Sequence, residues 1–291
     1  MMNIISFTLA LLILIKVTPV HAESNGVLLY GIIDQSKAIS VFELNNGMLN
    51  WIVAVNDLKP SVVKEDWRRH FFRFTPLFIK ESILYYYLPK MNSFGLESGV
   101  YAKLLGASSE ATLVLHTPEL ISIQKGEFPS SFWIVSKEGK LFEMDLDKRL
   151  LNACEEDSVS FASFNVKTHS LLILDKSGLR CKVSNINRGI STVRKVIFFD
   201  RKIKSIYAFD DNNKFFVEGG WDIWICNTEG NFLYSLAKKT VTASVCDVGA
   251  DQVYFLVGGD NDDRLLYSCD LSGKKSKKYN SGMFYDTLTL E

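Results

Sequence analysis

The sequence predicts an all-β fold: a six-bladed β-propeller of four-stranded antiparallel blades, closed by the C-terminal strand and carrying one short helical insertion. Three observations lead there. A short strand motif recurs six times, mostly at intervals of about 42 residues; further strand patterns fill the intervals; and the two ends of the propeller segment complement each other.

The motif copies are SVFELNNG from Ser40, VYAKLLGA from Val100, FEMDLDKR from Phe142, KVSNINRG from Lys182, WICNTEGN from Trp224 and YSCDLSGK from Tyr267. Their fourth residue is always polar: Glu43, Lys103, Asp145, Asn185, Asn227 and Asp270. The residue after it is Leu, Leu, Leu, Ile, Thr and Leu. Alternation between a packed and a polar side is what a half-buried strand requires, because successive side chains point to opposite faces. Five copies then place a glycine at the seventh or eighth position, Gly47, Gly106, Gly189, Gly230 and Gly273. A hairpin turn with positive φ favours a residue without a Cβ there. Successive anchors are 60, 42, 40, 42 and 43 residues apart. A period of about 40 to 45 residues with several strands per unit is that of one propeller blade per repeat.

The intervals supply the remaining strands. In the fifth unit, Ile203 to Phe209, Lys214 to Val217, Ile223 to Cys226 and Asn231 to Leu236 read as four in sequence. The sixth unit repeats the scheme with Thr242 to Val248, Gln252 to Val257, Leu265 to Cys269 and a polar strand near Lys274 to Tyr279. The first unit begins with Val27 to Ile33 (VLLYGII), which matches a second strand and leaves the innermost one missing. Met283 to Leu290 (MFYDTLTL) can fill that place and tie the ring shut without an open edge. The competing reading is a frayed tail.

The tract VYFLV from Val253, followed by LLYSCDLSGK from Leu265, resembles the blades of the six-bladed propellers that include the TolB-like C-terminal domain. The resemblance extends over nearly all of the chain after residue 22 and is one of architecture. Members of that group serve as protein-binding platforms, lectin-like binders and lactonase-type or peptidase-associated modules. The resemblance therefore implies a fold, selects no activity and carries over no catalytic residue.

Residues 1–22 read as a secretory signal, and residues 23–291 as the propeller domain. Phe7 to Ile15 is apolar but too short to span a bilayer, and Val20-His21-Ala22 offers a small-residue cleavage site. No Lys or Arg precedes Lys16, so an uncleaved membrane anchor is the alternative. Without that segment the chain holds 32 basic and 33 acidic residues. Such a balance argues against a surface dedicated to nucleic acid, and no membrane insertion is expected after cleavage. The expected location is secreted or periplasmic.

Five cysteines follow the signal, Cys154, Cys181, Cys226, Cys246 and Cys269, with no CxxC spacing. An odd number leaves at least one thiol free or paired between chains. With His70, His116 and His169 as the remaining histidines, a zinc site is not expected. There is no Asn-x-Ser/Thr acceptor for N-glycosylation.

Function is sought where the rhythm breaks. The 60-residue interval holds about 18 extra residues, assigned to an insertion at about 56–71. NDLKPSVVKEDWRRHF reads as a short helix with Pro60 and Ser61 at its start and Val63, Trp67 and Phe71 on one face. Trp67, Arg68 and Arg69 have the composition of an interface hot spot and are the candidate partner-binding residues, against the alternative of a decorating helix packed on the propeller edge. A second irregularity, Leu88 to Ser98, links the second and third strands of the second blade. Links of that kind open at the same end of a blade as the blade-to-blade links, so both segments are expected on one face.

Asp260, Asp262 and Asp263 form a weak candidate Ca²⁺ loop without the EF-hand spacing, and a solvated turn explains them equally. No other cofactor is expected. Neither a GxSxG elbow nor an HExxH helix is present. The favoured function is a non-enzymatic platform for a protein, peptide or glycan. The alternative is a metal-dependent hydrolase or lactonase with Asn165, Asp210 and Asp286 converging in the central channel. A structural subunit of an envelope or secretion complex is a third reading.

Overall fold

The apolar runs of this chain are about four to seven residues long, the length of strands rather than helices, and Gly, Asp, Asn and Ser separate them. The computed structural model describes residues 27–31, 40–45, 48–60, 74–92, 95–187, 190–209, 214–220, 222–237, 241–247, 252–258, 264–270, 276–278 and 284–290. The described residues form six four-stranded antiparallel sheets.

The first sheet contains β1 (Val27–Gly31), β2 (Ser40–Asn45) and β3 (Met48–Ala54). The second runs β4 (Thr75–Lys80), β5 (Ile83–Leu88), β6 (Gly99–Leu104) and β7 (Thr112–His116). In the third are β8 (Leu120–Lys125), β9 (Ser131–Ser136), β10 (Leu141–Asp145) and β11 (Leu150–Ala153). The fourth holds β12 (Val159–Asn165), β13 (Ser170–Asp175), β14 (Arg180–Asn187) and β15 (Ile190–Phe198). The fifth holds β16 (Ser205–Phe209), β17 (Lys214–Glu218), β18 (Ile223–Asn227) and β19 (Phe232–Ala237). The sixth comprises β20 (Val241–Asp247), β21 (Gln252–Gly258), β22 (Arg264–Asp270) and the short β23 (Ser276–Lys278).

The last strand, β24 (Phe284–Leu290), returns to the first sheet and pairs antiparallel with β1, giving the order β24-β1-β2-β3. The expected closure by the C-terminal strand is thus observed. Innermost strands meet their neighbours around a ring: β24 touches β4 and β20, and β12 touches β8 and β16.

The six motif copies fall on β2, β6, β10, β14, β18 and β22, the third strand of every sheet. In three copies the side-chain contacts give the polar anchor a reason beyond alternation. Asp145 accepts a hydrogen bond from the Lys148 N–H (3.1 Å), and Asn227 Oδ1 accepts from the Glu229 and Asn231 N–H groups (3.1 and 2.9 Å). Lys103 Nζ donates to the carbonyls of Ala107 and Ser109. In each case the anchor closes the turn into the fourth strand. Gly106 and Gly230 take positive φ there, and in the copy without glycine Arg149 does so, at φ 54°. At Gly230 a Cβ would clash with the Phe198 carbonyl oxygen, so the turn needs glycine for space as well as for φ.

Expected half-burial describes the third strands better than the second ones. Every residue of β9 is buried. Phe132 and Ile134 pack toward the second sheet with Leu77 and Phe78, whereas Trp133 and Val135 pack toward the fourth with Ala162 and Ile173. A strand sandwiched between neighbouring sheets buries both faces, so its sequence is continuously apolar and carries no period of two. The core is a series of such layers between adjacent sheets, dominated by Val, Ile, Leu, Phe and Tyr.

Candidate functional site

Trp67, Arg68 and Arg69 lie outside the described residues, as do Asp260, Asp262, Asp263 and Asp210; Asp286 falls on β24, whose side chains are likewise not described. The described residues on either side of 61–73 locate that segment's two ends. The chain leaves β3 through a 3-10 turn, Val55–Leu58, and the helix expected from Pro60 onward falls almost wholly outside the described residues. Leu58 is fully buried, and Pro60 forms a parallel bridge with Ala111 at the start of the fourth strand of the second sheet. After the segment, Phe74 is fully buried and its ring stacks on Tyr86 of β5 at 4.9 Å. The Tyr86 hydroxyl donates to the Leu58 carbonyl at 2.5 Å. One tyrosine of the second sheet therefore holds both ends of the insertion.

The second irregular segment converges on the same place. Between β5 and β6 the chain makes a small hairpin, with Met91 and Leu96 exchanging backbone hydrogen bonds of 2.9 and 3.1 Å. Leu96 is buried in one cluster with Leu58, Phe74, Tyr86 and Leu88, and Met91 packs against it. The segment's end is pinned by polar contacts. Ser98 Oγ donates to the Pro118 carbonyl (2.9 Å) and lies 3.2 Å from the Tyr87 hydroxyl, which in turn accepts from the Leu120 N–H at 3.1 Å. Tyr101 donates to the Glu97 carbonyl at 3.0 Å. Burial, helped by the Glu97 charge, pushes the Tyr101 hydroxyl up to about 12, and burial raises Tyr86 further, so both remain neutral donors.

Two contacts reach beyond adjacent sheets. The Tyr207 hydroxyl of the fifth sheet donates to Gln124 Oε1 of the third at 3.1 Å, passing the fourth sheet. β24 also touches β8, two sheets away. Asn165, one of the three channel candidates, accepts the Lys167 N–H at 3.0 Å and caps the turn after β12. His169, with φ 47°, pairs with Glu127 at 3.0 Å across neighbouring turns, both side chains being largely exposed.

Cys154, Cys181, Cys226 and Cys269 are free thiols. Burial pushes Cys154 and Cys269 up to about 11 and Cys226 up to about 12, with Cys181 raised further. Such thiols are protonated at neutral pH and act as small core residues.

A cavity of about 360 Å³ lies where the end of β15 meets the turn from β18 to β19, lined by Phe198, Asp200, Arg201, Gly230, Asn231 and Phe232. The Arg201 guanidinium lies over the Phe232 ring at 4.3 Å and near Trp224 at 5.6 Å. Its Nε donates to Asp200 Oδ1 at 3.1 Å. Sequence reasoning missed this site because Arg201 comes from the link between β15 and β16 and Phe232 from β19, far apart in the chain. The run RKVIFFDRKIK from Arg194 was the available signal.

The sequence matches no protein-family model and no curated protein. Among solved structures, the chain is similar to TolB from Acinetobacter baumannii, with a TM-score of 0.59 and 8% identity over 91% of this chain and 66% of that one, just under two thirds of its length. It is similar to a chain of a nidogen/laminin complex, with a TM-score of 0.56 and 10% identity over 91% and 97% of the two chains. It is also similar to a protein from Lactobacillus plantarum, with a TM-score of 0.53 and 11% identity over 91% and 98%. Identities this low show the fold alone: the chain has the architecture of a TolB-like β-propeller.

Proposed function

We propose that this protein is an exported binding platform for a protein, peptide or glycan, acting from the periplasm or the extracellular space through the end of the second blade that carries its two irregular segments. The observation that carries this reading is the shared cluster of Leu58, Phe74, Tyr86 and Leu96. It fixes the bases of the insertion and of the Leu88 to Ser98 link on one support, and a rigid base under irregular chain is how scaffolds present binding residues. A similar chain comes from a nidogen/laminin complex, so a propeller of this shape can engage another protein.

The test uses the full chain carrying a C-terminal tag. The exported protein is expected to begin at Glu23, and Trp67, Arg68 and Arg69 changed together to Ala should leave the melting temperature unchanged while abolishing recovery of the partner from an envelope or culture fraction. Undiminished recovery by a folded triple variant would overturn the assignment. Stoichiometric Ca²⁺ or Zn²⁺ in the purified protein would instead support the hydrolase reading.

A further inference from the structure

The outermost strands of the described sheets differ in length, and β15, at 9 residues, is the longest. It ends the order β12-β13-β14-β15, so its outer edge has no strand partner among the described residues. An unpartnered edge presents a row of backbone N–H and C=O groups to any chain that can lie alongside. Thr192 to Val196 are exposed, and so is Phe198. Val193, Val196 and Phe198 are 44%, 39% and 65% exposed, an apolar series on an edge that solvation alone would not select. At its end β15 runs into the cavity formed by Phe198, Arg201 and Phe232.

Charge narrows what fits. From Arg194 to Lys204 the chain carries Arg194, Lys195, Arg201, Lys202 and Lys204 against Asp200, in a protein whose formal net charge is zero. Lys204 is engaged by Glu218 (3.7 Å) and Arg201 shares Asp200. Arg194, Lys195 and Lys202 have no ion-pair partner among the described residues. Arg201 lies over the Phe232 ring and, among the described residues, bonds through Nε, which leaves its terminal nitrogens to meet a carboxylate in the forked geometry guanidinium favours.

Charge disfavours a second copy of the chain as the occupant. Edge-to-edge self-pairing of β15 would bring its basic pair, Arg194 and Lys195, against the same pair of the other copy. We propose that the edge of β15 and the cavity at its end form one docking site for an extended acidic peptide segment of a partner protein. The segment adds a fifth strand to the fourth sheet, sets its carboxylates against Arg194, Lys195 and Lys202, and seats one carboxylate on Arg201 beside Phe198. The proposal rests on the reading of the chain as a binding platform and adds a site separate from the insertion.

The probe is a pool of fluorescein-labelled peptides of about ten residues, with Glu at every second position and Val, Leu or Phe between, measured by anisotropy with the mature protein. Binding by the pool is expected. Arg194→Glu with Lys195→Glu, Arg201→Gln and Phe198→Ser should each weaken it about tenfold, while all three variants melt as the parent does. N-methylation of alternate peptide bonds should abolish binding, because it removes the donors a β-ladder needs. Four results overturn the proposal: no binding by the pool, equal binding by the corresponding Lys peptides, unchanged binding after N-methylation, or competition by heparin as strong as by unlabelled peptide, which would mark a general polyanion surface. The variant with Trp67, Arg68 and Arg69 changed to Ala should bind the pool normally. Loss in that variant would also overturn a separate site, whereas failure of the pool leaves the insertion's own test intact.

Discussion

A chain ending at residue 283 is expected to lose cooperative folding. The missing piece would be β24, whose residues pair with β1 from Val27↔Leu290 to Gly31↔Phe284. β24 also touches β4 and β20, so it forms the join between the first sheet and both neighbours. Each backbone hydrogen bond contributes about 1 kcal/mol net, so the ladder alone accounts for several kcal/mol. A domain's whole stability is only about 5 to 15 kcal/mol.

Truncation also exposes the inner edge of β1 and opens the ring, leaving a strand edge free for aggregation. Circular dichroism and denaturant titration of residues 23–283 should show no sharp transition, and a synthetic peptide of residues 284–290 added in trans should restore one. A sharp transition for the shortened chain, at the midpoint of the intact protein, would mean that closure lies elsewhere.

Much of this architecture was legible because the repeat unit has a signal at its third strand. Anchors such as Asp145 and Asn227 close a turn through their own side chains, and that requirement keeps a polar residue at one position of the sequence. The C-terminal strand was legible by subtraction, since the first unit lacked an inner strand and MFYDTLTL remained. The second strands were less so: SFWIVS in β9 is buried on both faces and shows no alternation. The support of the proposed site was not legible as a set of contacts. Spacing draws attention to the long first interval, but no local pattern reveals that Leu58, Phe74 and Leu96 meet on Tyr86, because the four are brought together by sheet packing. The Arg201 cavity escaped for the same reason, its cation in the link after β15 and its aromatic floor on β19 standing 31 positions apart.

Replacing Tyr86 is expected to be the most damaging single change near the insertion. Its side chain is among the largest fully buried ones, stacked between Phe74 (4.9 Å) and Tyr101 (6.1 Å). Tyr86→Ala removes the ring and its hydrogen bond together, a loss of about 3 to 5 kcal/mol read from the urea midpoint. Tyr86→Phe separates the two contributions. The ring stays, the buried Leu58 carbonyl loses its donor, and about 1 to 3 kcal/mol is expected to go. Hydrogen exchange should then rise at 55–60 and 88–98 before it rises in the other sheets, because that bond ties the insertion's base to the sheet supporting the hairpin. Uniform protection across all sheets in Tyr86→Phe would show that the base is held by packing alone. Alkaline pH offers a second test of the Tyr86 hydroxyl. Tyr86 and Tyr101 are both raised above the ordinary value of 10.0, so the folded state holds these protons more tightly than the unfolded chain. Their contribution is fully present below pH 10 and declines as pH rises through the folded values, Tyr101 giving way near 12. In Tyr86→Phe the alkaline decline should be shallower than in the parent, since one of the two protons is gone. A decline equally steep in both would assign the alkaline sensitivity to other groups.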